Sequence, residues 1–212
     1  MNKINIKKRV AIIGSGKWAC QLRKYIEETD YLTCVGYIDD NKLVEGVICN
    51  DEEATLYYGK KFDAVFMGIG YAHLDLRKKI YDVYKTKGIP FATIVHPTAI
   101  ISNSAEIGEG CLVGMNSIIE MGAMIADNVV IHSGVYIAHE VVVDKHCYIT
   151  ARAALAGDVK IGQCCFIGFN CSIRDGITIA DNTVVGCSAN VVKDITESGH
   201  VFIGNPARML IK

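Results

Sequence analysis

Residues 123–149 read AMIADNVVIHSGVYIAHEVVVDKHCYI, and this stretch decides the fold because it repeats every six residues. A large aliphatic residue recurs at Ile125, Ile131, Ile137, Val143 and Ile149. A small or β-branched residue precedes each of them by two positions. A period of six fits neither an amphipathic helix nor a single half-buried strand, so it predicts a solenoid of short strands joined by tight turns.

The same period continues in both directions without an insertion. The aliphatic position is filled at sixteen sites: Ile101, Ile107, Val113, Ile119, Ile125, Ile131, Ile137, Val143, Ile149, Leu155, Ile161, Ile167, Ile173, Ile179, Val185 and Val191. The small position holds Cys111, Cys147, Cys165 and Cys171, where a reduced thiol acts as a small hydrophobic side chain. Three hexads per coil would give roughly five coils.

Composition narrows the class of protein further. The chain has 212 residues, of which 50% are hydrophobic and only 8% aromatic, and this apolar content excludes a disordered chain. The formal net charge of −1 suggests neither a nucleic-acid nor a membrane-surface partner. The first residues contain too short an apolar run for a signal peptide, so we expect a cytoplasmic protein. Its nine cysteines should then be reduced, and no CxxC pair indicates a zinc or redox motif.

Residues 1–95 lack the hexad and form a second domain, with the boundary at His96-Pro97. Strands alternate with helices here, which predicts a small parallel α/β sheet. The predicted strands are 9–13, 32–38, 62–69 and 89–95, and the predicted helices are 18–28 and 74–87. Gly14-x-Gly16-x-x-Ala19 at the first strand-to-helix turn suits a phosphate or nucleotide, and Asp39-Asp40 ends the second strand. The alternative is a tight turn that needs glycine.

The combination resembles the bacterial PglD/NeuD sugar acyltransferases, which join a Rossmann-like domain to a hexapeptide-repeat domain. The stretches that carry this resemblance are VAIIGSGKWA, VGYIDD, VFMGIG, VHPTAIISNSAEIGEG, IAHE, AALAGDVKIG, CFIGFN and FIGNPAR. The resemblance implies a Rossmann-like nucleotide-sugar-binding domain over residues 1–95 and a left-handed parallel β-helix over residues 96–212. It further implies a homotrimer with active sites between subunits, acetyl-CoA as cosubstrate, no metal, and N-acetylation of a nucleotide-linked amino sugar.

The resemblance assigns the general base to His139 and the residue that raises its basicity to Glu140. Acyl transfer to an amine needs a base that titrates near neutrality, and an adjacent carboxylate favours the charged imidazole. His139 follows Ile137 near a coil corner, and Gly157 lies 18 residues later, one coil away. A glycine there leaves room for substrate, and its N–H could donate to an oxyanion.

Other residues are assigned by the resemblance alone. The nucleotide-sugar contacts are Gly16, Lys17, Trp18, Asp39, Asp40 and Gly70, and the acetyl-CoA contacts are Tyr148, Gly157, Phe169 and Cys187. Three positions depart from the family: His132 replaces an Asn, Tyr148 replaces a His, and Trp18 replaces a His or Gly. These departures bear on the acceptor and the acyl donor more than on the reaction type.

Three alternatives remain open at the level of sequence. A sugar or sialic acid O-acetyltransferase would use the same base on a hydroxyl group. A carbonic-anhydrase-like zinc enzyme would use His132, His139 and His146, but their spacing of seven conflicts with the period of six. A non-catalytic scaffold would need neither the His-Glu pair nor the N-terminal domain.

Overall fold

The computed structural model describes residues 7–211. The chain divides into two compact units, one ending at Ile94 and the other beginning at Val95. Within the described range, no helix is both long enough and apolar enough to cross a membrane.

The N-terminal unit is a small parallel sheet with helices. Its elements are β1 (Lys8–Ile13), α1 (Lys17–Glu27), β2 (Leu32–Ile38), β3 (Val47–Cys49), α2 (Ala54–Tyr57), β4 (Ala64–Met67), a 3₁₀ turn (Tyr71–His73) and α3 (Leu74–Thr86). The strand order is β3-β2-β1-β4, and every pair is parallel. The predicted Rossmann-like class is therefore confirmed.

The sheet forms because its central strands are apolar on both faces, as parallel strands covered by helices must be. Val10, Ala11 and Ile12 in β1 are fully buried. α1 packs through Ala19, Leu22 and Ile26, which are spaced by three and four residues and so share one helix face.

Two sequence predictions differ from the structure in this unit. β3 and α2 were not predicted, because three and four residues are too few to show a period. A single strand over 89–95 is wrong: the structure has only a one-residue bridge between Val65 and Phe91, followed by β5 (Ile94–Val95). Pro90 has no N–H to donate, which limits pairing at this edge.

The C-terminal unit is a three-sided parallel β-helix. Each of the sixteen predicted aliphatic residues is the second residue of a two-residue strand. The strands are β6 (Ile100–Ile101), β7 (Glu106–Ile107), β8 (Leu112–Val113), β9 (Ile118–Ile119), β10 (Met124–Ile125), β11 (Val130–Ile131), β12 (Tyr136–Ile137), β13 (Val142–Val143), β14 (Tyr148–Ile149), β15 (Ala154–Leu155), β16 (Lys160–Ile161), β17 (Phe166–Ile167), β18 (Ser172–Ile173), β19 (Thr178–Ile179), β20 (Val184–Val185) and β21 (Asn190–Val191). β22 (Val201–Ile203) and β23 (Arg208–Met209) follow.

Every third strand pairs, so the register between neighbouring coils is 18 residues. Face 1 contains β6, β9, β12, β15, β18 and β21, and face 2 contains β7, β10, β13, β16 and β19. Face 3 contains β5, β8, β11, β14, β17, β20, β22 and β23. The β-helix has about six coils rather than five, because β5 and β22 extend face 3 beyond the hexads.

The interior of the β-helix is a column of stacked aliphatic residues. The second residue of each strand points inward, and Ile131, Ile149 and Ile167 illustrate one such stack, each 0% exposed. The four cysteines predicted to pack are at most 1% exposed. Their thiols donate to carbonyl oxygens of the next coil, as from Cys147 to Gly162 O at 3.0 Å. These cysteines act as packing residues of the wall.

Three corners join the faces, and two of them carry residues assigned to the active site. The His139 corner joins face 1 to face 2 and includes Met121, His139, Gly157 and Asp175, spaced by 18 residues. The Phe169 corner joins face 3 to face 1 and includes Ser133, Ala151, Phe169 and Cys187. Adjacent turn positions adopt the left-handed conformation, with Asn at several of them, such as Asn116 and Asn170.

Truncating one stacked residue should destabilise the β-helix through a cavity that rigid coils cannot close. We expect Ile149→Ala to lower the free energy of unfolding by about 2–5 kcal/mol, measured by urea denaturation. Leu43→Ala is the matched control, because Leu43 is 96% exposed and its truncation should cost less than about 0.5 kcal/mol. Equal effects of the two substitutions would contradict the stacked core.

Candidate active site

The imidazole of His139 lies directly on Gly157 of the next coil. A Cβ placed on Gly157 would be 2.5 Å from Cε1 and 2.6 Å from Nε2 of His139. The missing side chain of Gly157 therefore makes room for the ring of His139 itself. His139 is exposed on its outer side, so the ring can be reached by a substrate.

The backbone of the same corner supplies a second functional group. The Asp158 N–H donates to His139 O at 3.1 Å and the Gly176 N–H donates to Gly157 O at 2.9 Å, which fixes the three coils in register. The Gly157 N–H has no hydrogen-bond partner within residues 7–211. A free N–H beside an imidazole is the arrangement that stabilises an oxyanion.

Glu140 points away from His139 in the single chain. Its carboxylate lies on Gly122, which belongs to the preceding coil, whereas the His139 ring lies on the following coil. Neither side chain makes a hydrogen bond or ion pair in the part of the chain that the structure describes. Glu140 must change rotamer before its carboxylate can hydrogen-bond the imidazole.

The backbone conformation of Glu140 is unusual for its residue type. Its φ is +56°, and Gly122 holds the equivalent place in the preceding coil with φ +68°. Residues other than Gly, Asn and Asp adopt this left-handed region infrequently. The wall of the β-helix therefore imposes the position of Glu140, and with it the direction from which its carboxylate can approach the corner.

Phe169 and Cys187 lie one above the other at the Phe169 corner. The Ser188 N–H donates to Phe169 O at 2.8 Å, which aligns the two coils. Phe169 is 45% exposed and Cys187 is exposed. This corner therefore offers an aromatic ring and a thiol to a ligand that runs along the prism.

Tyr148 lies in β14 on face 3, where its hydroxyl is hydrogen-bonded to Nε2 of His132 at 2.9 Å. Tyr148 is buried, and its ring stacks on Phe166 with the centroids 6.2 Å apart. Burial lowers the pKa of His132 to about 4. His132 is therefore neutral at pH 7, and the Tyr148 hydroxyl already has a partner within its own chain.

The residues assigned to the nucleotide lie at the carboxyl ends of β1, β2 and β4. Gly16 is the N-cap of α1 and Lys17 its first residue, and Trp18 follows. Gly70 precedes the 3₁₀ turn, and a Cβ there would contact nothing within 4 Å. The open turn fits a ligand that approaches the backbone closely.

Asp39, which the resemblance assigns to the nucleotide-sugar contacts, already accepts hydrogen bonds within its own chain. The Ser15 hydroxyl donates to its Oδ2 at 2.6 Å, and the Asn41 N–H donates to its Oδ1 at 2.9 Å. Burial acts to raise the pKa of Asp39, but these hydrogen bonds hold it below the ordinary value. Asp40, by contrast, is exposed.

Three further residues share a cavity with Asp39 and Asp40: Asp51, Lys79 and Tyr84. The sequence analysis missed them, because the fold brings them together from separate segments that carry no motif.

The three histidines of the zinc hypothesis do not converge. His132 pairs with Tyr148, and His146 Nδ1 lies 3.0 Å from the Asn128 side-chain nitrogen at the third corner. His139 lies on Gly157. Across residues 7–211, no cluster of three His, Cys, Asp or Glu side chains could hold a metal ion.

Comparisons with known proteins agree with this architecture. A family model described as the hexapeptide repeat of succinyl-transferase matches residues 105–138 and 158–192. PerB from Caulobacter crescentus, solved with CoA and GDP-perosamine, is 28% identical with a TM-score of 0.87, covering 95% of this chain and 96% of that one. The chain is an acyltransferase.

Two further structures match the fold of the acyltransferase. The acetyltransferase domain of PglB from Neisseria gonorrhoeae FA1090 is 24% identical with a TM-score of 0.84, covering 96% of this chain and 100% of that one. WeeI from Acinetobacter baumannii AYE is 21% identical with a TM-score of 0.80, covering 95% and 99%. These two structures show the same two-domain fold, and together with PerB and the hexapeptide match they confirm the resemblance to sugar acyltransferases with a Rossmann-like N-terminal domain.

Adding a methyl group at Gly157 should displace the imidazole of His139, the predicted general base, without unfolding the corner. The His139 ring can swing outward because it is exposed, so we expect Gly157→Ala to keep the thermal midpoint and to lower kcat by about 100-fold. A steady-state assay with a thermal melt checks this. Full activity in a folded variant would contradict the prediction that His139, held in place on Gly157, is the general base.

The depressed pKa of His132 should make stability depend on pH. The unfolded value is near 6.5, so between pH 6.5 and 4 the unfolded chain binds a proton that the folded chain does not. The contribution of the neutral His132 to the free energy of unfolding is fully present above pH 6.5. It is lost as the pH falls toward 4, by up to ~3 kcal/mol.

The measurement compares urea unfolding of the wild type and of His132→Asn over this pH range. As the pH falls, the variant should lose less stability than the wild type, and the difference should equal the contribution of His132. An NMR titration that places the His132 pKa near 6.5 would contradict the buried, neutral imidazole.

Proposed function

We propose that the acyltransferase moves the acetyl group of acetyl-CoA to the amino group of a nucleotide-linked amino sugar, such as a 4-amino-4,6-dideoxy sugar. The observation that carries this proposal is the exposed imidazole of His139 held on Gly157 at a prism corner. PerB, solved with CoA and GDP-perosamine, supports both the donor and the class of acceptor.

The chemistry needs a base and an oxyanion donor. The neutral sugar amine attacks the thioester carbonyl carbon, forming the C–N bond, and His139 accepts the proton that the nitrogen loses. The Gly157 N–H stabilises the oxygen of the tetrahedral intermediate. The C–S bond then breaks, the CoA thiolate leaves, and the imidazolium returns the proton to it. Glu140, after a rotamer change, would stabilise the imidazolium.

Acetyl-CoA would lie along the prism, beside the His139 corner. A groove of about 590 Å³ runs along face 2, with Met124, Val142 and Thr178 among its lining residues. Its size suits the pantetheine arm. The Phe169 corner does not border face 2, so Phe169 and Cys187 would contact CoA from a neighbouring copy of the chain. Tyr148 of that copy would approach the acyl end through the face that it shares with His132.

A homotrimer would bring these parts together. Face 1 lies between the His139 and Phe169 corners, and its outward residues Ile100 and Tyr136 are 64% and 39% exposed. Three copies arranged around this face would cover the apolar side chains and set the His139 corner of one chain beside the Phe169 corner of the next.

The nucleotide of the acceptor would bind the N-terminal unit. Gly16 and Lys17 at the start of α1 offer N–H groups and a cation to the diphosphate, beside Trp18. Asp39, Asp40 and Gly70 complete this site at the strand ends. Because acetyl-CoA and nucleotide sugars are cytoplasmic metabolites, we propose a cytoplasmic location.

Removing the base should abolish transfer. We expect His139→Ala to lower kcat by about 10²–10⁴-fold. The assay measures the release of the CoA thiol from acetyl-CoA in the presence of an amino nucleotide sugar. The matched control is His200→Ala, because His200 is an exposed histidine on the same unit, paired with Glu197 at 3.7 Å. The proposal fails if His139→Ala retains full activity.

The same assay separates amine from hydroxyl acceptors. Amino nucleotide sugars are compared with free and CMP-linked sialic acid at equal concentration. Faster thiol release with sialic acid would contradict the proposed N-acetyltransferase and would indicate an O-acetyltransferase instead.

A further inference from the structure

Arg152 is a charged side chain that the β-helix holds without giving it a partner. It lies at the Phe169 corner, directly after Ala151, and it is exposed. Within residues 7–211 its guanidinium makes no hydrogen bond or ion pair. Its φ is +62°, a conformation that suits glycine or asparagine and that arginine adopts infrequently. The backbone alone therefore gives no reason for an arginine at this turn.

The stem of Arg152 leads back toward the preceding coil. A Cβ placed on Gly134, one coil earlier, would be 3.5 Å from Cγ of Arg152. The guanidinium is attached beyond this carbon. The side chain therefore leads from its own coil toward the coil of Gly134, along the edge of face 1.

The two corners that border face 1 differ in charge. In the two turn positions of each coil from 97 to 188, the Phe169 corner has Arg152 as its only charged residue. The equivalent positions of the His139 corner hold several carboxylates and a lysine: Glu140, Asp158, Asp175, Asp194 and Lys193. An acidic edge and an edge with a single cation have complementary charge, which favours contact between two copies of the chain in one register.

Heights along the β-helix decide which carboxylate meets Arg152. In a cyclic trimer whose axis runs along the prisms, equivalent residues of all copies lie at the same height. The wall rises about 4.8 Å per 18-residue coil, so the backbone of Arg152 is about 3 Å higher than that of Glu140. Because its stem descends over Gly134, the guanidinium reaches the level of Glu140. Asp158 lies one coil higher, on the side from which the stem leads away.

We propose that Arg152 of one copy pairs with Glu140 of the next copy and positions the carboxylate that acts on His139. This inference rests on the proposed function, because it uses the trimer around face 1 and the role given there to Glu140. In the single chain the Glu140 carboxylate lies on Gly122, one coil below its own backbone. A guanidinium at the level of Glu140 draws this carboxylate upward, toward the imidazole.

Arg152 is a positioning residue in this arrangement, since it acts through Glu140. A guanidinium presents two parallel N–H groups that fix the orientation of one carboxylate. A carboxylate has about four lone-pair sites, so Glu140 can accept from Arg152 and from the imidazolium N–H at the same time. Each active site is then complete only when a neighbouring copy contributes its Phe169 corner.

Steady-state kinetics of the full chain separate positioning from substrate binding. We expect Arg152→Asn to lower kcat about tenfold and to change the KM for acetyl-CoA by less than about twofold. Asparagine suits the left-handed backbone, so this variant should fold. Arg152→Lys should recover part of kcat, because it restores the charge without the paired N–H groups.

Lys145→Gln is the matched control for these variants. Lys145 is an exposed cation at the third corner, which does not border face 1, and it pairs with Asp127 at 3.2 Å. Its substitution should leave kcat and the KM for acetyl-CoA unchanged.

A double-mutant cycle tests whether Arg152 acts through Glu140. Glu140→Gln should lower kcat about as much as Arg152→Asn does. The double variant should be slower than the wild type by about tenfold, whereas independent effects would multiply to about 100-fold.

Assembly provides a readout that does not depend on acetyl transfer. Analytical ultracentrifugation measures the concentration at which the trimer dissociates. Arg152→Glu should raise this concentration about tenfold or more, because two carboxylates then face each other. Combining Arg152→Glu with Glu140→Arg should restore it to within about threefold of the wild type.

Four results would overturn the inference: a monomeric wild type, multiplying effects in the cycle, no rescue of assembly by charge reversal, or a raised KM for acetyl-CoA with unchanged kcat in Arg152→Asn. The last would mark Arg152 as a contact of a CoA phosphate. Rescued assembly in a chain whose wild type releases no thiol would contradict the proposed function only. Thiol release that Arg152→Asn leaves unchanged would contradict the inference only.

Discussion

The 18-residue register between coils is the constraint on which the β-helix unit and its candidate active site depend. Hydrogen bonds between neighbouring coils, such as Val130 N–H to Cys147 O at 3.0 Å, hold each strand directly above its equivalent. Inward residues then stack on residues of similar size, and a slip by one position would turn the aliphatic column outward. The uninterrupted period keeps this register from the first predicted hexad to the last.

The same register builds the candidate active site from residues that are distant in sequence. It sets His139 on Gly157 and Phe169 beneath Cys187 without any loop that must fold separately. Groups held by a stacked backbone stay in place while substrates bind, which favours reactions that rely on positioning and electrostatics. Glu140 is the exception, since its carboxylate lies on Gly122 and must move to meet the imidazole. The N-terminal unit adds a site of a different kind, in which strand ends and α3 enclose an apolar cavity.

The sequence predicted the β-helix strand by strand, because one side-chain type at a fixed period has a single packing solution. It also predicted the contact between positions 139 and 157, which follows from the coil length. It did not predict the rotamer of Glu140 or the His132–Tyr148 hydrogen bond, which depend on local packing across coils. In the N-terminal unit it missed β3 and α2, because these elements are too short to show a hydrophobic period. It also joined Phe91 and Ile94 into one strand. Asp51 and Tyr84 could be grouped only after the fold was known.

Acetyl transfer to a sugar nitrogen is the central claim, and the structure of the reaction product tests it most directly. The chain is incubated with acetyl-CoA and a nucleotide-linked 4-amino-4,6-dideoxy sugar, and the sugar product is isolated and examined by mass spectrometry and NMR. The account predicts one added acetyl group, bonded as an amide to the amino nitrogen. An acetyl ester on a hydroxyl group, or free acetate with an unmodified sugar, would contradict it.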